Sequence, residues 1–241
     1  MKMPETAMVL AAGLGKRMRP ITETMPKPLV NVAGKPLIDW CLDAVERARG
    51  GPCNRQCAII YADQLEHHLA TRNRPQIIIS DERGLLLDSA GGIVKVLPDL
   101  AGEPFFILNA DTFWVGDEAE PNLVRLAETW DDARMDILLM TARLDQETGY
   151  EGKGVFCCRC RRPPAPCTRC PGRTGDLCGC RYHSPAHLCR CDTPGIASLN
   201  RHFDQAIAAG RLYGMPMTGH WLTVGTPEAI GKAEAVLSAF A

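Results

Sequence analysis

The chain has 241 residues, of which 46% are hydrophobic and 23% are charged, and its formal net charge is -1. This composition predicts a soluble globular protein, and the near-neutral charge gives no overall positive field for nucleic acid. No stretch approaches the roughly 18 consecutive apolar residues of a membrane span. Because the first residues also lack the pattern of a signal peptide, we expect a cytoplasmic protein without a membrane partner.

Short apolar runs alternate with helical patterns along the chain. The first run, residues 8–12, leads into a glycine-rich turn, and residues 36–49 then place apolar side chains at helical spacing. Strand-like runs follow at residues 58–61, 77–79, 105–109 and 136–141, and helical patterns at residues 63–71, 91–98, 122–130, 198–209 and 227–240. The alternation predicts an α/β fold, with a Rossmann-like mixed, mainly parallel sheet flanked by helices.

The strongest motif is the sequence L-A-A-G-L-G-K-R-M-R-P after the first predicted strand, with P-K-P-L-V shortly behind it. Gly13 and Gly15 can bring backbone N–H groups close to a triphosphate, and Arg17 and Lys27 can neutralise charge on a transferring phosphate. Alone, a G-x-G sequence is more often an ordinary turn, and a single cation is usually a solvated surface residue. The two parts in tandem favour phosphate chemistry.

Three weaker motifs follow. The apolar run F-F-I-L-N-A-D ends in Asp111, and an aspartate at the carboxyl end of a parallel strand can bind a hard cation such as Mg²⁺, although alone it is more often a turn or helix cap. The sequence D-S-A-G-G-I, which begins at Asp88, opens a helix with small residues, as many helices do for packing reasons alone. Near the C-terminus, G-H-W-L-T-V-G-T-P is either part of a site or simply a strand end, a turn and a helix start.

Together, these motifs resemble the sugar-nucleotide pyrophosphorylases, that is, the sugar-1-phosphate nucleotidylyltransferase family, whose signature is L-A-x-G-x-G-x-R-x-x-P with P-K-P-L downstream. The resemblance implies a fold of the nucleotide-diphospho-sugar transferase type in a single domain over residues 1–241. Residues 1–115 would form the nucleotide-binding half and residues 116–241 the sugar-phosphate-binding half. The implied reaction is Mg²⁺-dependent transfer of a nucleotidyl group from a nucleoside triphosphate to a sugar 1-phosphate, with release of pyrophosphate.

The resemblance also implies the roles of individual residues. The catalytic residues would be Arg17, Lys27 and Asp111, with Asp111 as the ligand of Mg²⁺. The nucleotide would contact Leu10, Ala12, Gly13, Gly15, Gly91 and Asn109, and the sugar phosphate would contact Gly154 and Thr223. Two positions depart from the family, since Asp88 stands where glycine is usual and Thr223 stands where a second metal-binding aspartate is usual. A hydroxyl is a poor Mg²⁺ ligand, so either Asp111 and substrate phosphates hold the metal or another carboxylate takes part.

The compact length and the sequences A-A-G-x-G-x-R-M-R-P and G-H-W favour one group of substrates within the family. These features most resemble family members that transfer a uridylyl group from UTP to N-acetylmuramate 1-phosphate in peptidoglycan recycling. Mannose-1-phosphate guanylyltransferase activity is the alternative. Thr223 also leaves open a catalytically impaired regulatory relative.

Residues 156–192 interrupt the pattern, because nine of the twelve cysteines lie there among arginine, proline, glycine and histidine. Three interpretations stay open: a frame artefact of GC-rich coding DNA, which residues 50–57 would repeat; a zinc site of closely spaced cysteines with His183 and His187; and an irregular loop. We expect these residues to be unable to form strands, because arginine brings charge into a half-buried surface and proline removes ladder donors. A disulfide is not expected in a cytoplasmic protein.

Overall fold

A computed structural model of the chain describes residues 3–48, 56–60, 63–82, 84–100, 103–151, 156–158, 164–169, 177–183 and 196–240. The strands are β1 (Ala7–Leu10), β2 (Asn31–Val32), β3 (Lys35–Pro36), β4 (Gln56–Ile60), β5 (Gln76–Ser80), β6 (Phe105–Asn109), β7 (Thr112–Val115), β8 (Ile137–Ala142), β9 (Glu147–Thr148), β10 (Phe156–Cys158), β11 (Ala165–Arg169), β12 (Leu177–His183), β13 (Leu212–Pro216) and β14 (His220–Thr223). The helices are α1 (Leu37–Arg47), α2 (Asp63–Ala70), α3 (Asp88–Val96), α4 (Asn122–Thr129), α5 (Leu199–Ala208) and α6 (Pro227–Phe240).

The main sheet is mixed and has the strand order β10-β11-β13-β8-β12-β6-β1-β4-β5. Strands β6, β1, β4 and β5 are parallel to one another, and β13 is parallel to β8. The other pairings in this sheet are antiparallel. β12 pairs with β6 and β8, β11 pairs with β13, and β10 pairs with β11 at the end of the strand order. A smaller sheet has the order β7-β14-β9, and β2 pairs with β3. This architecture confirms the predicted α/β class.

The central strand β1 shows why helices cover both faces of the sheet. Successive side chains of a strand point to opposite faces. Ala7 and Val9 pack into a core with residues of α1 and α4, whereas Met8 packs into a second core with residues of α3 and α5. All three side chains are fully buried, which explains a continuous apolar run rather than an alternating one. The faces are therefore closed, and the carboxyl edge of the parallel strands is left for a site.

The cysteine-rich segment contributes β10, β11 and β12 to the main sheet, so the expectation that these residues cannot form strands is wrong. In β11, the buried Ala165 and Cys167 alternate with the exposed Pro166, which is the in-and-out pattern of a half-buried strand. β12 lies between β6 and β8 and pairs with both. Pairing with neighbouring strands, which cannot be predicted from amino-acid composition, therefore determines that these residues form strands.

Arg169 shows how this segment accommodates its charge. Its guanidinium lies over the rings of Phe156 and Phe203, with the Cζ atom 5.3 Å and 5.8 Å from the two ring centroids. Its Nε also donates to the carboxylate of Asp204 at 2.9 Å. The arginine is therefore stacked and paired, and it bridges the edge of the sheet to α5.

Other expectations for this segment have different outcomes. In the residues that the structure describes, no group of three or more His, Cys, Asp or Glu side chains is arranged to hold a metal ion. Cys167 is disulfide-bonded, contrary to the expectation of no disulfide. His187 and residues 50–55 lie outside the described residues. Of the described helices, none is long and apolar enough to cross a membrane.

Candidate functional site

The glycine-rich loop runs from the end of β1 to a short 3-10 helix, Lys16–Met18. Gly15 has a φ of 59°, and a Cβ atom on it would lie 2.8 Å from Cγ2 of Thr22. The Thr22 hydroxyl donates to the Gly15 carbonyl at 2.8 Å, which holds the loop in this form. A Cβ on Gly13 would meet no atom within 4 Å. Gly15 is thus required by the loop itself, whereas the space beside Gly13 is open to a ligand.

Lys27 and Asp111 form an ion pair at the carboxyl end of β6. The Lys27 ammonium donates to the Asp111 carboxylate, with 2.6 Å between Nζ and Oδ2, although the residues are 84 positions apart. Their side chains are 11% and 33% exposed, so a ligand can reach the pair. The structure therefore brings together two of the three predicted catalytic residues.

The glycine-rich loop, this ion pair and the start of α3 enclose a cavity of about 350 Å³, which we call the apolar cavity. Its lining residues are Leu10, Ala11, Ala12, Gly13, Lys27, Pro28, Leu86, Asp88, Ser89, Asn109, Ala110 and Asp111. Four of the six residues predicted to contact the nucleotide are in this lining, and Gly15 and Gly91 are not. The Gly91 N–H donates to the carbonyl of Ala197 at 3.1 Å.

A second cavity of about 450 Å³, which we call the cationic cavity, adjoins the first. It is lined by Gly13, Leu14, Lys16, Arg19, Thr22, Glu23, Thr24, Met25, Pro26, Lys27 and Gln64. The two cavities share Gly13 and Lys27, so they meet at the open side of the glycine-rich loop. Sequence reasoning did not select Lys16 and Arg19 as site residues, although the three basic residues of K-R-M-R were a signal of local positive charge.

Arg17 lines neither cavity. Its guanidinium lies against Gly225, where a Cβ atom would be 3.4 Å from Nη1 of Arg17. The structure therefore brings the arginine of the N-terminal motif to the V-G-T-P sequence of the C-terminal motif. The predicted catalytic role of Arg17 stays a prediction.

The C-terminal motif also lies beside Asp111. β14 pairs antiparallel with β7, so that Thr223 is opposite Thr112, and the Val224 N–H donates to the Asp111 carbonyl at 3.0 Å. The Thr223 hydroxyl accepts a hydrogen bond from the indole N–H of Trp221 at 3.0 Å. The structure therefore brings Thr223 close to Asp111, with the Thr223 hydroxyl accepting from Trp221, and its predicted contact with the sugar phosphate stays a prediction.

The residues around Asp111 determine whether Mg²⁺ fits the site. Asp111 has one carboxylate oxygen bonded to Lys27, and the Thr223 oxygen is an acceptor for Trp221. Mg²⁺ usually keeps several waters and binds through one or two carboxylates together with substrate phosphates. The site therefore fits a magnesium ion that arrives with the phosphates of a nucleotide.

The half-buried residues of β9 and the following turn lie on the other side of β14. Gly149 approaches the Thr223 carbonyl so closely that a Cβ atom would lie 2.0 Å from it. The Thr148 hydroxyl and Nε2 of His220 are 3.0 Å apart. Burial raises the pKa of Glu147, and burial together with the charge of Glu147 raises the pKa of Tyr150. Sequence reasoning selected none of these polar groups, and the predicted Gly154 lies outside the described residues.

The arrangement is that of a nucleotidyltransferase: a backbone loop open to phosphate, a lysine and an aspartate in contact, and two adjoining cavities at the carboxyl end of a parallel sheet. Residues 7–147 match the MobA-like NTP transferase domain, and the chain belongs to this family. The predicted class, a sugar-1-phosphate nucleotidylyltransferase, is confirmed by the family and the relatives.

Three relatives illustrate the likeness. The N-acetylmuramate alpha-1-phosphate uridylyltransferase of Caulobacter vibrioides is 37% identical over 252 residues, which cover 98% of this chain and 98% of that protein. The mannose-1-phosphate guanylyltransferase 1 of Arabidopsis thaliana is 27% identical over 230 residues, which cover 92% of this chain and 61% of that protein. A solved UDP-glucose pyrophosphorylase with bound UDP-glucose shares the fold, with a TM-score of 0.74 at 17% identity over 98% of this chain and 99% of that one.

Proposed function

We propose that this enzyme transfers the uridylyl group of UTP to N-acetylmuramate α-1-phosphate, releases pyrophosphate, and works in the cytoplasm in peptidoglycan recycling. The observation that carries the proposal is the end-to-end likeness to the Caulobacter vibrioides protein, which covers 98% of both chains. The guanylyltransferase of Arabidopsis thaliana is a more distant relative, at 27% identity and 61% of its own length.

The two cavities support one orientation of the nucleotide. The nucleoside occupies the apolar cavity, and the terminal phosphates lie in the cationic cavity beside Lys16 and Arg19. The α-phosphate then lies at the junction, next to Gly13 and Lys27. Charge complementarity favours this arrangement, because it brings three cationic side chains to the phosphates and leaves the apolar lining to the base.

The proposed reaction is a direct displacement. An oxygen of the sugar phosphate forms a bond to the α-phosphorus, and the bond to the pyrophosphate oxygen breaks. Lys27 is held at the junction by Asp111, so its ammonium stabilises charge on the α-phosphate without first having to be ordered. Mg²⁺ bound at Asp111 would supply further neutralisation of the phosphate charge.

A pyrophosphate-release assay tests the proposal. The four common ribonucleoside triphosphates and dTTP are combined with N-acetylmuramate 1-phosphate, mannose 1-phosphate and glucose 1-phosphate in the presence of Mg²⁺. We expect the highest kcat/KM for UTP with N-acetylmuramate 1-phosphate. A preference for GTP with mannose 1-phosphate would identify the alternative activity instead.

Thr223 favours a second candidate, a catalytically impaired relative, because a hydroxyl replaces a carboxylate next to Asp111. The variant Thr223→Asp distinguishes the two. If the wild-type enzyme is active and Thr223→Asp changes kcat by less than a few-fold, Asp111 and the substrate phosphates suffice to bind the metal. A wild-type chain without turnover that gains it on Thr223→Asp would be an impaired relative.

A further inference from the structure

The connection that carries Asp111 is short and crosses between two sheets. Strand β6 of the main sheet ends at Asn109, strand β7 of the smaller sheet begins at Thr112, and only Ala110 and Asp111 lie between them. The Asp111 carboxylate lines the apolar cavity and contacts Lys27. A change in the backbone path of these two residues would therefore move the carboxylate relative to the Lys27 ammonium.

The thiol of Cys41 contacts both ends of this connection. Cys41 belongs to α1 and is fully buried. Its Sγ atom donates to the carbonyl oxygens of Asn109 and Thr112, and both S···O distances are 3.3 Å. A thiol has one hydrogen, so the two carbonyl oxygens share it. The Thr112 hydroxyl also donates to the Asn109 carbonyl at 3.3 Å. One side chain of α1 thus holds the last residue of β6 and the first residue of β7.

Backbone groups hold the two residues in between. The Ala110 N–H donates to the carbonyl of Leu10 in β1 at 3.1 Å, and the Asp111 carbonyl accepts from the Val224 N–H at 3.0 Å. These bonds reach the connection from the parallel sheet and from the C-terminal motif. The Cys41 thiol adds support from a third direction, the helix α1.

The surroundings of the thiol distinguish it from a side chain that only fills space. Leu42 and Val45 of the same helix are buried in the same core and are purely apolar. A free cysteine can occupy such a position as a small hydrophobic residue. Here, however, the sulfur meets two buried carbonyl oxygens, which need donors. We propose that Cys41 is a positioning residue that holds Asp111 in contact with Lys27 for nucleotidyl transfer. The inference rests on the role that the proposed function gives to Asp111.

Three variants of the full-length chain test this role. Cys41→Ala removes the donor, whereas Cys41→Ser keeps a donor that can reach the two carbonyls after a small shift. Val45→Ala is the matched control, because it removes apolar volume from the same helix and the same core, and a valine side chain makes no hydrogen bond. Thermal melting fixes a temperature at which all three variants are folded.

We expect Cys41→Ala to lower kcat about 10-fold with little change in the KM of either substrate, since misplacing a group by about 1 Å can cost about 100-fold. Cys41→Ser should recover most of the loss. Val45→Ala should keep the wild-type kcat although it melts earlier. In an Asp111→Asn background, Cys41→Ala should change kcat by less than about 2-fold, because the carboxylate that the thiol positions is gone. Equal losses in both backgrounds would overturn the inference.

Amide hydrogen exchange tests the geometry without turnover. In Cys41→Ala, the N–H groups of Ala110 and Val224 should exchange about 10-fold faster than in the wild type, because the connection that they hold is loosened. The Met217 N–H, which donates to the carbonyl of Thr141 at 2.9 Å, should keep its protection, because Thr141 belongs to β8, two strands away from β6. Unchanged exchange of Ala110 and Val224, or equal acceleration at all three amides, would contradict the positioning role. If the enzyme uses another nucleotide or sugar phosphate, the same comparisons are made with that pair, and only the proposed function fails.

Discussion

Lys27 and Asp111 contact each other where the apolar and cationic cavities meet, and each depends on a different part of the chain for its position. Lys27 begins the short helix Lys27–Leu29, whereas Asp111 follows β6. The Asp111 backbone is fixed by the N–H of Val224, which comes from the C-terminal motif. At the scale of single residues, the site is therefore one ion pair supported from three regions of the sequence.

Removing either member of this pair should impair turnover while the fold is kept. We expect Asp111→Asn to lose about 100-fold or more in kcat, because the change removes the charge that contacts Lys27 and that would bind Mg²⁺. Lys27→Ala should raise the barrier by about 2 to 4 kcal/mol, mainly in kcat. The loss of kcat in the double variant should be smaller than the product of the two single losses, since the two side chains act as a unit.

Steady-state pyrophosphate release, with thermal melting as the control for folding, measures these effects. Near-normal turnover of Asp111→Asn at saturating Mg²⁺ would contradict the metal assignment. A rise only in the KM for the sugar phosphate in Lys27→Ala would instead make Lys27 a ground-state binding residue.

At the scale of elements, the glycine-rich loop offers a matched pair of variants. Gly15→Ala should destabilise the protein by about 1 to 3 kcal/mol, because its left-handed backbone and the 2.8 Å approach to Thr22 leave no place for a methyl group. Gly13→Ala should leave stability unchanged and raise the KM for the triphosphate about 10-fold, because the new methyl group would lie in the open space that the phosphates occupy in the proposed complex. Urea denaturation and kinetics distinguish the two outcomes. A Gly13→Ala enzyme with the wild-type KM would show that the nucleotide does not approach this loop.

The loop that leads into α3 gives a prediction about pH. Glu82 is 4% exposed and accepts the Leu87 N–H at 3.0 Å, and burial raises its pKa above the ordinary value of 4.5. The folded state therefore favours the protonated form of Glu82. The contribution of this protonation to the stability of the fold is fully present below pH 4.5 and is lost as the pH rises through the raised pKa. Glu82→Gln keeps an acceptor without the charge.

We expect Glu82→Gln to unfold at a higher urea concentration than the wild type at pH 7 to 8. The gain should shrink as the pH falls towards 4.5. Denaturation curves across this range measure the difference. A gain that did not vary with pH would mean that the ionisation of Glu82 is not coupled to folding.

At the scale of the whole molecule, the cysteine-rich segment belongs to the main sheet. Phe156 of β10 is 3% exposed and meets the ring of Phe203 edge to face, with 5.5 Å between the ring centroids. Phe156→Ala should therefore lower the free energy of unfolding by about 3 kcal/mol. Leu144→Ala is the control, since a side chain that is 42% exposed should cost less than about 0.5 kcal/mol. Equal stability of the two variants would show that β10 does not pack in solution.

Sequence patterns predicted elements well where the pattern was local and strong. The expected strand at residues 105–109 and helix at residues 227–240 have the observed bounds of β6 and α6. β13 was missed, because L-Y-G-M-P contains glycine and proline and owes its strand conformation to pairing with β8 and β11. The prediction that residues 156–192 form no strands was wrong for a similar reason. Their arginine and proline content argued against strands, but in β10, β11 and β12 the neighbouring strands supply the pairing, which composition does not indicate.

The sequence by itself determined the class of protein and the chemical groups of the site, because a glycine-rich loop, a lysine and an aspartate are recognisable from residue type and local spacing. Only the tertiary structure decided which groups meet. It joins Lys27 to Asp111, places Arg17 against Gly225 instead of in either of the two cavities, and brings Asp88 into the lining of the apolar cavity. These contacts depend on the order of strands in the sheet and on backbone torsions, which bring distant residues to one edge whatever their separation along the chain.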